Sequence, residues 1–152
     1  MICQDCGVEA DTKHVTFYQN IGALVIRFPK SIDGNLCKSC VHRHFWTMTG
    51  VTLVLGWWGM ISLIVSPFFV LNNVVRYVLC LGMSAVPPGA APPELDDSAV
   101  QKVKPYVSEL FERLNAGEDY HSVAKAVADK SGVTPGQVAL FVRAVAAMQD
   151  RE

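Results

Sequence analysis

TGVTLVLGWWGMISLIVSPFFVL, residues 49–71, carries no charged side chain, and Arg76 is the only one between Phe45 and Tyr77. At about 1.5 Å of rise per helical residue, a run of this length matches the ~30 Å hydrocarbon core of a bilayer. A chain of 152 residues has little material with which to wrap so long an all-round apolar helix in a soluble core. The stretch therefore predicts a membrane protein, and the remaining segments are read outward from it.

Average composition conceals this partition. Net charge is -1 and charged residues make up 18%, yet no Asp or Glu occurs between Asp33 and Glu94. Residues 1–44 hold five Lys/Arg against four Asp/Glu, and residues 94–152 hold seven against ten. Neither end is basic enough to suggest nucleic-acid binding. The N-terminus, Met1-Ile2-Cys3-Gln4-Asp5-Cys6, has no basic stretch leading into an apolar one, so no signal peptide is expected and the apolar run acts as its own targeting signal. Lys30, Lys38 and Arg43, with His42 and His44, precede that run. Positive flanks stay cytosolic, which places the N-terminal module on the cytosolic face of the cell (inner) membrane.

That compartment gives the cysteines their meaning. Cys3-x-x-Cys6 and Cys37-x-x-Cys40 form two paired-thiol motifs, and in a reducing cytosol such pairs are metal ligands more often than disulfides. Four thiolates complete the closed tetrahedral shell of a structural zinc site and leave no position open for substrate. A redox dithiol or an iron-sulfur cluster is the alternative, and neither is required by the spacing. His14, His42 and His44 read as surface residues, and Cys80 as a small buried hydrophobe with palmitoylation as a second reading. Between the pairs, HVTFYQN (14–20) and IGALVIRF (21–28) are β-rich, and Ile32-Asp33-Gly34-Asn35 is a turn signal. A hairpin fits there, making residues 1–44 a small β-hairpin zinc ribbon.

The segments FYQNIGALVIRF, GNLCKSCVHRHFW and GWWGMISLIVSPFFVLNN, followed by Arg76-Tyr77, resemble a group of bacterial zinc-ribbon membrane proteins with a Gly-Trp-Trp-Gly signature and no established activity. The resemblance covers residues 3–77. It implies metal at Cys3, Cys6, Cys37 and Cys40 and membrane at Gly56–Gly59, and implies no substrate or reaction.

Cys40 is followed by Val41-His42-Arg43-His44-Phe45-Trp46 with no breaker before Gly50, so the second knuckle is expected to run straight into the membrane helix. Lys38, Arg43, Trp46 and Arg76 are the expected membrane-interface residues. Residues 45–83 form the membrane segment, in one of two topologies. Either Phe45–Leu71 crosses once, or Pro67 is the tip of a helical hairpin whose second arm, 68–83, returns; Arg43 and Arg76 on one side favour the hairpin. Asn72, Asn73 and Arg76 then need a polar surface to pack on, and Gly56 and Gly59 offer a flat patch for close packing.

Residues 84–98 read as a Pro-rich linker, with four prolines in Val86–Pro93. Residues 99–152 read as an all-α three-helix bundle, with stripes at Val103, Val107, Leu110 and Leu114, at Tyr120, Val123 and Val127, and at Val138, Phe141 and Val145. Thr134-Pro135-Gly136-Gln137 is a capping box. The rhythm of Ser122–Val138 is similar to a helix-turn-helix, but only Gln137 and Arg143 offer reading side chains, in an acidic module. No nucleophile-base motif, phosphate loop or HExxH occurs. The expectation is a non-enzymatic membrane adaptor that carries zinc. Its partners are the lipid bilayer and, through 99–152, a protein; nucleic acid and small-molecule substrates are not expected. A membrane-tethered nucleic-acid regulator is the alternative, with a CxxC thiol redox enzyme behind it.

Overall fold

The computed structural model describes residues 1–23 and 26–149. Residues 24–25, inside the β-rich reading of 21–28, and residues 150–152, at the end of the C-terminal module, lie outside the described residues. The chain divides into two compact units, Thr12–Val86, and Met1–Asp11 together with Pro87–Glu152.

In the first unit, β1 (Thr12–Ala23) and β2 (Ile26–Cys37) form an antiparallel hairpin. The strands are longer than the sequence suggested, because Asp33-Gly34 does not turn. Gly34 sits opposite Val15 with φ at +153°, a backbone state open to glycine, and the chain stays in the ladder. Asp33 holds the strand pair instead, accepting a hydrogen bond from Thr16 Oγ1 at 2.5 Å. Val15 and Phe17 are buried, and β1 packs on two helices, α1 (Lys38–Leu55) and α2 (Met60–Cys80). The second knuckle runs straight into a helix, as expected, but α1 starts immediately after Cys37 and so takes in Cys40 itself.

The two helices correct the membrane topology drawn from sequence. The run 49–71 is not one continuous span, and Pro67 is not its tip: Pro67 lies inside α2, and the chain reverses at Gly56–Gly59. The cause is close packing between small residues. A Cβ on Gly56 would stand 2.5 Å from Ser66 Oγ, and that hydroxyl donates to Gly56 O at 2.8 Å. Gly22 of β1 makes a comparably tight approach to Ser62. Pairs along the two helices run antiparallel: Gly56 with Ser66, Thr49 with Asn73, His42 with Tyr77. Both outer ends therefore meet, and Lys38 Nζ donates to Met83 O at 2.8 Å. Among the described residues α2 is the one helix long and apolar enough to cross a membrane, 21 residues at about 1.5 Å each.

In the second unit, α3 (Asp97–Val103) is N-capped by Asp96, and a 3-10 turn at Lys104–Tyr106 separates it from α4 (Val107–Asn115). The first stripe read from sequence is thus two helical segments, because Pro105 has no N–H to continue the ladder. Asp119 caps α5 (Tyr120–Ser131), which ends at Gly132 with φ at +66°. Next comes α6 (Pro135–Gln149), whose capping box pairs Thr134 and Gln137 in both directions. The core comprises Val103, Leu110, Val123, Val127, Val138 and Phe141. Ile2, from the N-terminal residues, is buried in the same core. Gly7, with φ at +72°, lies so close to Gly136 that a Cβ on it would stand 2.7 Å from the Gly136 carbonyl oxygen.

Candidate metal centre

Cys3 and Cys6 sit on a tight turn. Cys3 N donates to Val8 O and Gly7 N donates to Cys3 O, each at 2.9 Å, a closure that the positive φ of Gly7 permits. Cys37 ends β2 as the N-cap residue of α1, and Cys40 lies in the first turn of that helix. The four sulfurs all lie within 4.8 Å of one another; Cys3, Cys37 and Cys40 are buried and Cys6 is half-buried. A tetrahedron with metal–sulfur bonds of about 2.3 Å has edges of about 3.8 Å, so this donor set fits one metal ion after a small contraction.

The surroundings also suit a charged centre. Four thiolates around a divalent ion carry a net charge of -2, and the N-terminal end of the α1 dipole is favourable to it. Arg43 extends the compensation, with a guanidinium nitrogen 3.9 Å from Cys40 Sγ. Asp5, although buried close in sequence to the ligands, is held in an ion pair with Arg143 at 2.7 Å. Of the other residues read as membrane-facing, Lys38 bonds the Met83 carbonyl, while Trp46, 61% exposed, and Arg76 stand on the surface. His14 faces Asp33 at 3.4 Å, and His42 shares a 2.8 Å hydrogen bond with Tyr77.

A second feature escaped the sequence reading. Asn20, Thr49, Thr52, Ser62, Ser66 and Asn73 are buried together where β1, α1 and α2 meet. Asn73 accepts from Tyr18 N at 2.9 Å and donates to Tyr18 O at 2.7 Å, so one side chain satisfies both backbone groups of an edge residue. Asn72 donates to Thr16 O, Thr52 Oγ1 accepts from Asn20 N, and Asn20 Nδ2 donates to Ser66 Oγ. A signal was present: Ser62, Ser66 and Asn73 repeat at intervals of four and seven, which puts them on one face of α2.

In the helical unit the two side chains read from sequence as candidates for base contacts are engaged internally. Gln137 closes the capping box and donates to Glu94 O, and Arg143 binds Asp5. Burial pushes the Tyr120 hydroxyl up from its ordinary value, whereas hydrogen bonds from the Ser122 backbone and hydroxyl hold Asp119 below the usual carboxylate range. No family model, no curated protein and no solved structure matches this chain.

Proposed function

We propose that this chain is a membrane-anchored, non-enzymatic adaptor. Cys3, Cys6, Cys37 and Cys40 hold a structural zinc ion in a ribbon-like module, and the C-terminal helical module, described through Gln149, binds a protein partner. The α1–α2 hairpin inserts into the inner membrane with both of its outer ends on the cytosolic face. The observation that carries the reading is the outer surface of α2, where Met60, Ile64, Phe68, Leu71 and Leu79 are each more than half exposed. Water does not favour such a face on a folded unit, and lipid does.

A closed four-sulfur cluster supports a structural metal over a reactive dithiol, since redox cysteines need one exposed, activated pair. Internal use of Gln137 and Arg143 favours a protein partner over nucleic acid. Fractionation of the full-length protein tests the anchor: it should remain in membranes after an alkaline wash and carry about one zinc per chain. Cysteines introduced at Ser31 and Ser84 should both be shielded from an impermeant reagent in intact cells. Recovery in the soluble fraction, or labelling of Ser84→Cys alone, would sink the topology. Nuclease-resistant crosslinks from residues 99–149 to a protein support the adaptor reading, and crosslinks to nucleic acid overturn it.

A further inference from the structure

A cavity of ≈ 380 Å³ opens where α1 begins and α2 ends, bounded by Lys38, His42, Tyr77, Leu81 and Val86 among others. Its size lies within the range of about 300–1,000 Å³ used by small-molecule sites, and its walls are mainly apolar. Lys38, Ser39, His42 and Tyr77 supply its polar groups. Lys38 Nζ uses one donor on Met83 O, which leaves two of the ammonium's three N–H groups for another acceptor. The hydrogen bond to Tyr77 at 2.8 Å fixes the His42 ring beside it.

Charge selects the occupant. No Asp or Glu occurs from Gly34 to Pro93, whereas Lys38, Arg43 and Arg76 fall in that stretch. Lys13 adds a further cation at this end of the helical pair by donating to Leu79 O at 2.7 Å. The exposed apolar face of α2 runs up to the same point through Val78, Leu79 and Leu81, 56%, 59% and 50% exposed. A soluble anion would leave the apolar walls wet, and a plain hydrocarbon would leave the lysine without an acceptor. An amphiphile with an anionic head satisfies both halves at the depth where headgroups meet chains.

We infer that this cavity binds an anionic phospholipid, with its phosphate at Lys38 and His42 and the first methylenes of its chains on Leu81 and Val86. The inference rests on the membrane reading above, and one experiment separates the two. Full-length protein is floated with vesicles of phosphatidylcholine or of phosphatidylcholine mixed with phosphatidylglycerol. Lipid retained after detergent extraction is then counted by native mass spectrometry. Wild type should float with both vesicles and retain phosphatidylglycerol about tenfold over phosphatidylcholine, a difference of about 1.4 kcal/mol. Lys38→Ala, and Ala85→Trp, which fills the cavity from the segment after α2, should still float and lose that preference.

Equal retention of the two lipids by wild type would overturn the site while leaving the anchor intact. Undiminished phosphatidylglycerol on Ala85→Trp would do the same, as would displacement by glycerol phosphate, which has a head and no chains. Failure to float with either vesicle would overturn anchor and site together. Because Lys38 adjoins Cys37, zinc content is measured on each variant, and Ala85→Trp decides if Lys38→Ala loses metal.

Discussion

The two units of this protein differ in what they bury and in what they expose. In Thr12–Val86 the interior joins Val15, Phe17, Val41 and Met48 to a polar seam of Asn20, Thr49, Thr52, Ser62, Ser66 and Asn73, and the exterior carries Trp58, Met60, Ile64 and Phe68. In the helical unit the interior is Val103, Leu110, Val123, Val127 and Val138, and the exterior is charged and capped. Among the described residues, Met1 and Met148 are the only large hydrophobic side chains prominently exposed in that second unit. Under the proposed membrane reading, the same physics produces both patterns with a different solvent. In water, apolar burial drives folding and polar groups are satisfied outside. In lipid an apolar exterior costs nothing, close packing and internal hydrogen bonds hold the structure, and every backbone group has to find a partner inside. Asn73, serving both backbone groups of Tyr18, is that requirement expressed in one side chain.

The comparison can be tested from its largest consequence downward. The largest effect falls on neither interior: Cys37→Ser should abolish stoichiometric zinc, because apparent zinc-binding free energies of about 10–16 kcal/mol contribute directly to the folding of small zinc modules. Metal analysis with circular dichroism reads this, and full zinc retention would show that Cys37 is not a ligand. Asn73→Leu comes next. Branched at the same atom though larger, leucine leaves the Tyr18 N–H and C=O unpaired and should cost about 3 kcal/mol in a detergent-unfolding midpoint. A neutral result would mean that the polar seam is hydrated and the interior is not dry.

Ile64→Lys sharpens the contrast in solvent. Ile64 is 68% exposed, so in water the change should fall within about 0.5 kcal/mol. In a bilayer it should weaken membrane retention by about 2–3 kcal/mol. Met148→Lys, at a position 69% exposed in the other unit, is the control and should change nothing measurable. The smallest effect belongs to the water-facing unit: Asp119→Ala removes the α5 cap and should cost about 1 kcal/mol at neutral pH. Asp119 is held below the usual carboxylate range by Ser122. Its contribution is therefore complete above the unfolded pKa of about 3.9 and is lost as pH falls through the lower folded value. The variant and wild type should converge in acid thermal melts, and a constant gap down to the lowest pH would argue against a charged cap.

Local chemistry was legible in the residues. The two CxxC pairs sufficed to name four candidate ligands, whose sulfurs the fold brings within 4.8 Å of one another, since each pair is a short-range turn whose geometry depends on its neighbours alone. The capping box at Thr134–Gln137 and the stop at Gly132 were equally readable, being contacts within one helical turn. So was the unbroken run of the second knuckle into a helix, although α1 begins at Lys38 and not after Cys40.

Long-range packing decided the rest. The apolar run 49–71 suggested a membrane segment but did not show its path: Pro67 looked like the bend, yet it lies in α2, and the chain reverses at Gly56–Gly59, where Ser66 and Ser62 come close to Gly56 and Gly22. Asp33-Gly34 looked like a turn until its pairing with Thr16 and Val15 kept it in the strand. Asn72 and Asn73 read as a liability in an apolar segment, and became assets only when β1 supplied backbone groups for them. Sequence alone determined which groups prefer water, lipid or metal, because transfer free energy and ligand chemistry belong to the residue. Which of those groups meet was left to the tertiary structure, because a hydrogen bond spanning 55 positions depends on how the whole chain closes.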